Sequence, residues 1–160
     1  MDDDHVVAYQ LGRAPRGTWR VATRCSFGYP TVIATAPRTQ SGEPFPTLFY
    51  STCPHLVAAV STLESGGALE HWRERLACDA ALMQRLASAD ASYRDARAAE
   101  GGGSDPTPAV GIGGERDSRG MKCLHAHVAA ALAGIADPIG EAALDDVAHE
   151  CDDARCREGE

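Results

Sequence analysis

Six consecutive residues, Lys122-Cys123-Leu124-His125-Ala126-His127, hold a thiol, two imidazoles and the chain's only lysine. A second cluster, Cys53-Pro54-His55, lies far upstream, and a lone Cys25 upstream again. Thiolate and imidazole are the usual ligands of zinc, and thiolates alone can hold iron–sulfur clusters. Cys123 and His127 are four apart, so a helix through both would put them on one face. The residues that can complete a tetrahedral site are then Cys25, Cys53, His55 or His125. The spacing is not diagnostic, because no C-x-x-C pair is present. An iron–sulfur cluster on Cys25, Cys53 and Cys123 is the alternative, with one open iron for substrate.

The same residues can do other chemistry. A cysteine at a helix N-terminus feels the positive end of the dipole, which favours thiolate. Cys53 and Cys123 both sit at expected helix starts. Lys122 adds positive charge beside Cys123, and Arg24 beside Cys25. That arrangement suits a nucleophilic, redox or sulfur-transferring thiolate at Cys53 or Cys123. Arg20, Arg24, Arg38 and Lys122 are candidates for a shared cationic pocket. The plainer reading treats buried cysteines as small core hydrophobes and the histidines as hydrogen-bonded or surface residues. Cys78, Cys151 and Cys156 receive that plainer reading, as do His71 and His149. Glu64 is a candidate general base, though a solvated carboxylate at a helix end is the commoner case.

Positioning these groups needs a small set of elements. Thr18–Thr23 alternates as a strand and Thr31–Thr35 is β-branched, so the two pair as a hairpin with Cys25 near the connection. Thr47–Ser51 is a third strand that feeds into Thr52-Cys53-Pro54. Proline suits the first helical position, so Cys53 caps a helix running to about Glu64, stopped by Gly66-Gly67. Residues 68–99 carry an amphipathic helical pattern that weakens after Ala87. Residues 100–108 form a flexible loop by composition. Ala109–Gly114 reads as a short strand ending in a glycine turn. It lacks the lysine and Ser/Thr of a phosphate loop. Met121–Ile135 forms a helix, and a short one follows at about Glu141–His149. Residues 1–16 form a flexible end and residues 151–160 an acidic tail. Together these elements predict a single α+β domain over 17–150, with three or four short strands packed against about four helices.

At 160 residues the chain is long enough for one hydrophobic core. The formal net charge of −8 argues against binding along a nucleic-acid backbone. No stretch is long and apolar enough to span a bilayer. The acidic start, Met1-Asp2-Asp3-Asp4, is unlike a secretory signal. A cytoplasmic protein is expected, and its six cysteines are then thiols or metal ligands more than a disulfide framework. The expected partners are an unidentified small molecule or protein, with neither nucleic acid nor membrane.

Several separated blocks match a known pattern in order: Arg24-Cys25 with Gly28 and Pro30, Pro44–Tyr50 running into Thr52-Cys53-Pro54, Gly111–Gly114, and Lys122–Ala126. In these blocks the chain resembles an actinobacterial family catalogued as domain of unknown function 501, over about residues 17 to 140. The resemblance implies a small bacterial cytoplasmic protein and carries no assigned activity. The matching blocks contain Cys25, Cys53, Cys123 and His125, and leave out Cys78, Cys151 and Cys156. The leading expectation is a metal-binding protein using Cys25, Cys53, Cys123 and one of His55, His125 or His127, with zinc or an iron–sulfur cluster. The alternatives are a thiolate enzyme and a non-catalytic interaction module.

Overall fold

The computed structural model describes residues 1–117 and 119–160. Strands β1 (Trp19–Arg24), β2 (Pro30–Thr35) and β3 (Phe49–Ser51) form an antiparallel sheet in the order β1-β2-β3. The β1–β2 hairpin closes through Gly28, whose φ of 88° is easy only for glycine. Cys25 lies in that connection, where its N–H donates to the Tyr29 carbonyl. Every residue of β2 is buried, as befits the central strand.

The class is α+β as expected, but the helices are six rather than four among the described residues. Helices α1 (Asp3–Leu11), α2 (Pro54–Ser65), α3 (Ala68–Cys78), α4 (Ala80–Glu100), α5 (Leu124–Leu132) and α6 (Pro138–Asp145) are joined by two short 3-10 turns, Ile112–Gly114 and Arg155–Gly159. Both additional helices have local causes. The single helical stretch expected over 68–99 divides at Asp79, whose extended backbone ends α3 and whose carboxylate accepts the Leu82 N–H to start α4. Helix α1 forms in the stretch expected to be irregular. Asp2 caps it, and Val6 and Val7 are buried, with Val6 in a cluster containing Tyr29, Ala154 and Cys156. The C-terminal 3-10 turn packs on α1, so Cys156 in the expected acidic tail is buried.

One core gathers α2, α3, α4, α5 and α6 around Leu56, Leu76, Leu124, Val128 and Ile139. A second joins the sheet to α4 and α5 through Val32, Phe49, Tyr93 and Ala129. Helix α5 belongs to both and meets β3 at its edge. The loop after α4, expected to be flexible, is tied down by Arg97. That side chain is fully buried, forms a forked pair with Asp105, and donates to the carbonyls of Pro46, Thr107 and Val110. The expected strand at Ala109–Gly114 becomes the 3-10 turn, since Gly113 and Gly114 both take positive φ.

No helix among the described residues is long and apolar enough to cross a membrane.

Candidate functional site

Pro54 starts α2 and Glu64 lies near its last turn. Cys123 is the residue before α5, extended at φ −155° and ψ 121°, and His125 is in the first turn. Packing α2 against α5 brings these three together. A Cys123 sulfur, a His125 ring nitrogen and a Glu64 carboxylate oxygen all lie within 4.8 Å of one another. This is the one such triplet of cysteine, histidine and acidic residues among the described residues.

Glu64 serves two donors. Its Oε1 accepts the Leu124 N–H at 2.8 Å, and so caps α5 from a neighbouring helix. The same oxygen lies 3.2 Å from His125 Nδ1. His125 Nε2 lies 3.1 Å from the Val57 carbonyl. The Ser61 hydroxyl, which can donate or accept, lies 3.2 Å from the same Nε2. The pKa of His125 is pushed up to about 9, first by the Cys123 side chain, then, against the opposing effect of burial, by Val57 and Glu64. Burial by itself drives the Cys123 pKa up. The His125 ring and the Ala126 N–H outweigh it, leaving the thiol below its ordinary value. Cys123 and His125 thus form a pair in which the thiol's pKa is lowered and the imidazole's raised, with Glu64 beside both.

The pair opens into a cleft of about 630 Å³ between α2, β3 and the start of α5. Its walls are mainly apolar, with Leu11, Phe49, Tyr50, Val57 and Ala126 prominent.

The other sequence candidates lie elsewhere. Cys53 caps α2 as expected, but its sulfur is buried in the helical core, and desolvation raises its pKa despite the Leu56 and His55 N–H groups. The lowered thiol expected at both helix starts is found at Cys123, where His125 leads the lowering, and not at Cys53, where burial wins. Cys25 packs beside Tyr29 and Cys156. His55 Nε2 donates to the Ala148 carbonyl. His127 is buried and its Nδ1 meets Asp137 Oδ2 at 2.6 Å. The shared face expected for Cys123 and His127 does not arise, because Cys123 stands outside the helix with extended backbone. The four proposed cations are separately engaged: Arg20 with Glu100, Arg24 with Asp3, and Arg38 and Lys122 with the carbonyls of Gly42 and Gly114.

The geometry gains its context from a family model described as "Protein of unknown function (DUF501)", which matches residues 21–145. The chain belongs to this family. The matched region of this DUF501 protein contains Glu64, Cys123 and His125. No curated protein and no solved structure matches the chain.

Glu64 was visible in the sequence as a helix-end acid, but nothing there linked it to residues about sixty positions later. Gln10 and Ser51, which also line the cleft, gave no sequence signal at all.

Proposed function

We propose that this DUF501 protein is a cysteine-dependent enzyme in which the Cys123 thiolate attacks an electrophilic substrate. His125 is the acid that protonates the leaving group, and Glu64 is the positioning residue that holds the ring. The supporting observation is the pair of acceptors around His125. Glu64 on one ring nitrogen and Val57 on the other favour a charged ring beside the sulfur, with the Ser61 hydroxyl also near the second nitrogen. An apolar cleft strengthens that pairing, since charges interact more strongly away from water. Cys53, the other sequence candidate for nucleophile, is buried with a raised pKa.

Metal binding is the second reading, favoured by the 4.8 Å clustering of three ligand types. Zinc on Glu64, Cys123 and His125 would leave a coordination position open toward the cleft. It also requires a lone pair on His125, so the ring must first give up its hydrogen bond to Glu64 or Val57. The iron–sulfur alternative needs Cys25 and Cys53 beside Cys123, and those two sulfurs pack in other clusters.

Labelling with iodoacetamide at neutral pH, mapped by mass spectrometry, separates the readings. The enzyme reading expects Cys123 to be alkylated first among the six cysteines, at a rate unchanged by chelators. If protein as purified holds one equivalent of zinc that blocks labelling until it is chelated, the metal reading replaces it.

A further inference from the structure

Four of the six cysteines, Cys25, Cys53, Cys151 and Cys156, stand apart from the residues that line the cleft. They come from three distant parts of the chain, and hydrogen bonds close to them draw those parts together. Ser26, next to Cys25, donates its N–H and its hydroxyl to the carboxylate of Glu150, next to Cys151. His55, two residues after Cys53, donates to the Ala148 carbonyl at 3.0 Å. The Pro30 carbonyl accepts from Thr52, the residue before Cys53, and from Gln10. The same Gln10 Nε2 donates to the Cys156 sulfur at 3.2 Å.

The thiols themselves are neighbours. Cys25 packs on the cluster that contains Cys156. Burial pushes the Cys156 thiol up, and the nearby Cys151 and Cys25 thiols add to that rise. Burial is again the main cause at Cys53, with Cys156 and Cys151 adding to it. Cys53 and Cys156 are buried, while Cys25 and Cys151 are half-buried. Each buried sulfur nonetheless has N–H donors beside it, Leu56 and His55 at Cys53 and Gln10 at Cys156. Donors of this kind support a sulfur that carries negative charge. Four thiolates in one place repel one another, and a cation among them removes that cost.

We propose that Cys25, Cys53, Cys151 and Cys156 form a second site, in which four thiolates hold one zinc ion or another cation of its borderline-soft class. Zinc takes four sulfurs as a tetrahedron in sites closed to solvent. Among the described residues no three of these sulfurs lie within 4.8 Å of one another, so the ion draws them in as their protons leave. The half-buried pair, Cys25 and Cys151, gives the ion its entry. Its role is structural, since it fastens the C-terminal segment to the β1–β2 connection and to the start of α2.

The test titrates the full chain, reduced and freed of metal, with cobalt(II), which replaces zinc in tetrahedral sites and absorbs strongly when thiolates bind it. The expected result is one equivalent of cobalt with thiolate-to-metal absorption, displaced by added zinc. Cys25→Ser and Cys151→Ser should each weaken binding by about 10-fold or more. Both positions are half-buried, and circular dichroism checks that the variants fold. Cys123→Ser and Cys78→Ser should bind as the native chain does. Zinc should raise the melting temperature of the native chain and of Cys123→Ser, and raise that of Cys25→Ser far less. Absence of thiolate–cobalt absorption in the native chain overturns the proposal. So does binding that is lost in Cys123→Ser and kept in Cys25→Ser and Cys151→Ser, which would move the ion to Glu64, Cys123 and His125.

Discussion

At His125, Nδ1 faces Glu64, and Nε2 faces the Val57 carbonyl and the Ser61 hydroxyl. Removing the charge on one side should loosen the proton. In Glu64→Gln the His125 pKa is expected to fall from about 9, since the carboxylate is one of the groups raising it. An NMR titration of the ring checks this, and an unchanged pKa would separate Glu64 from the pair. The sign fixes the pH profile as well. His125 donates a proton only while charged, so any step that needs its acid form is lost as pH rises through about 9. Alkylation of Cys123 needs only thiolate and should persist above that pH. The sequence marked Cys123 and His125 correctly as neighbours, because both lie in one short segment. It ranked His127 beside them on helical spacing, and that argument failed where Cys123 left the helix.

The elements explain why these residues stay where they are. Asp137 caps α6 by accepting the Ile139 and Gly140 N–H groups, and its second oxygen takes His127 from α5. Both side chains are almost wholly buried. Asp137→Ala removes the cap and leaves buried donors unpaired, so a loss of about 3 kcal/mol in urea unfolding is expected. Arg97 does the corresponding work for the loop after α4. Arg97→Ala strands the Asp105 carboxylate and three carbonyls, and should cost about 3–5 kcal/mol by the same measurement. A loss under 1 kcal/mol for either variant would contradict the role assigned to it. The three strands and the start of α2 were legible from alternation, β-branched residues and Pro54, while the starts of α1, α4 and α5 were not. The hold of Arg97 was not, because glycine-rich composition reports the freedom of the unfolded loop and nothing of a partner eight residues away.

For the whole molecule, the site exists because α5 is shared by both cores. One side of that helix fixes it to α2 and so to Glu64. Its contact with β3 forms the cleft wall that contains Ser51. Helix α1 adds Gln10 and Leu11 to the lining, and Gln10 also ties it to Cys156 of the C-terminal 3-10 turn. The family match over 21–145 covers Glu64, Cys123 and His125 but not Gln10 or Cys156. The Glu64, Cys123 and His125 cluster thus lies within the family's matched region, and the part of the cleft lined by α1 lies outside it. Long-range meetings of this kind, such as α2 with α5, are set by packing, and no local pattern announces them.

The central claim is that the Cys123 thiol titrates below an ordinary cysteine, and ultraviolet absorbance of the thiolate tests it most directly. The spectrum of Cys123→Ser is subtracted from that of the native chain across a pH titration, which leaves the one sulfur in question. The account predicts one equivalent of thiolate that appears below the pH at which an ordinary cysteine ionises. A thiolate that appears only near the ordinary cysteine value of about 8.5 would contradict it.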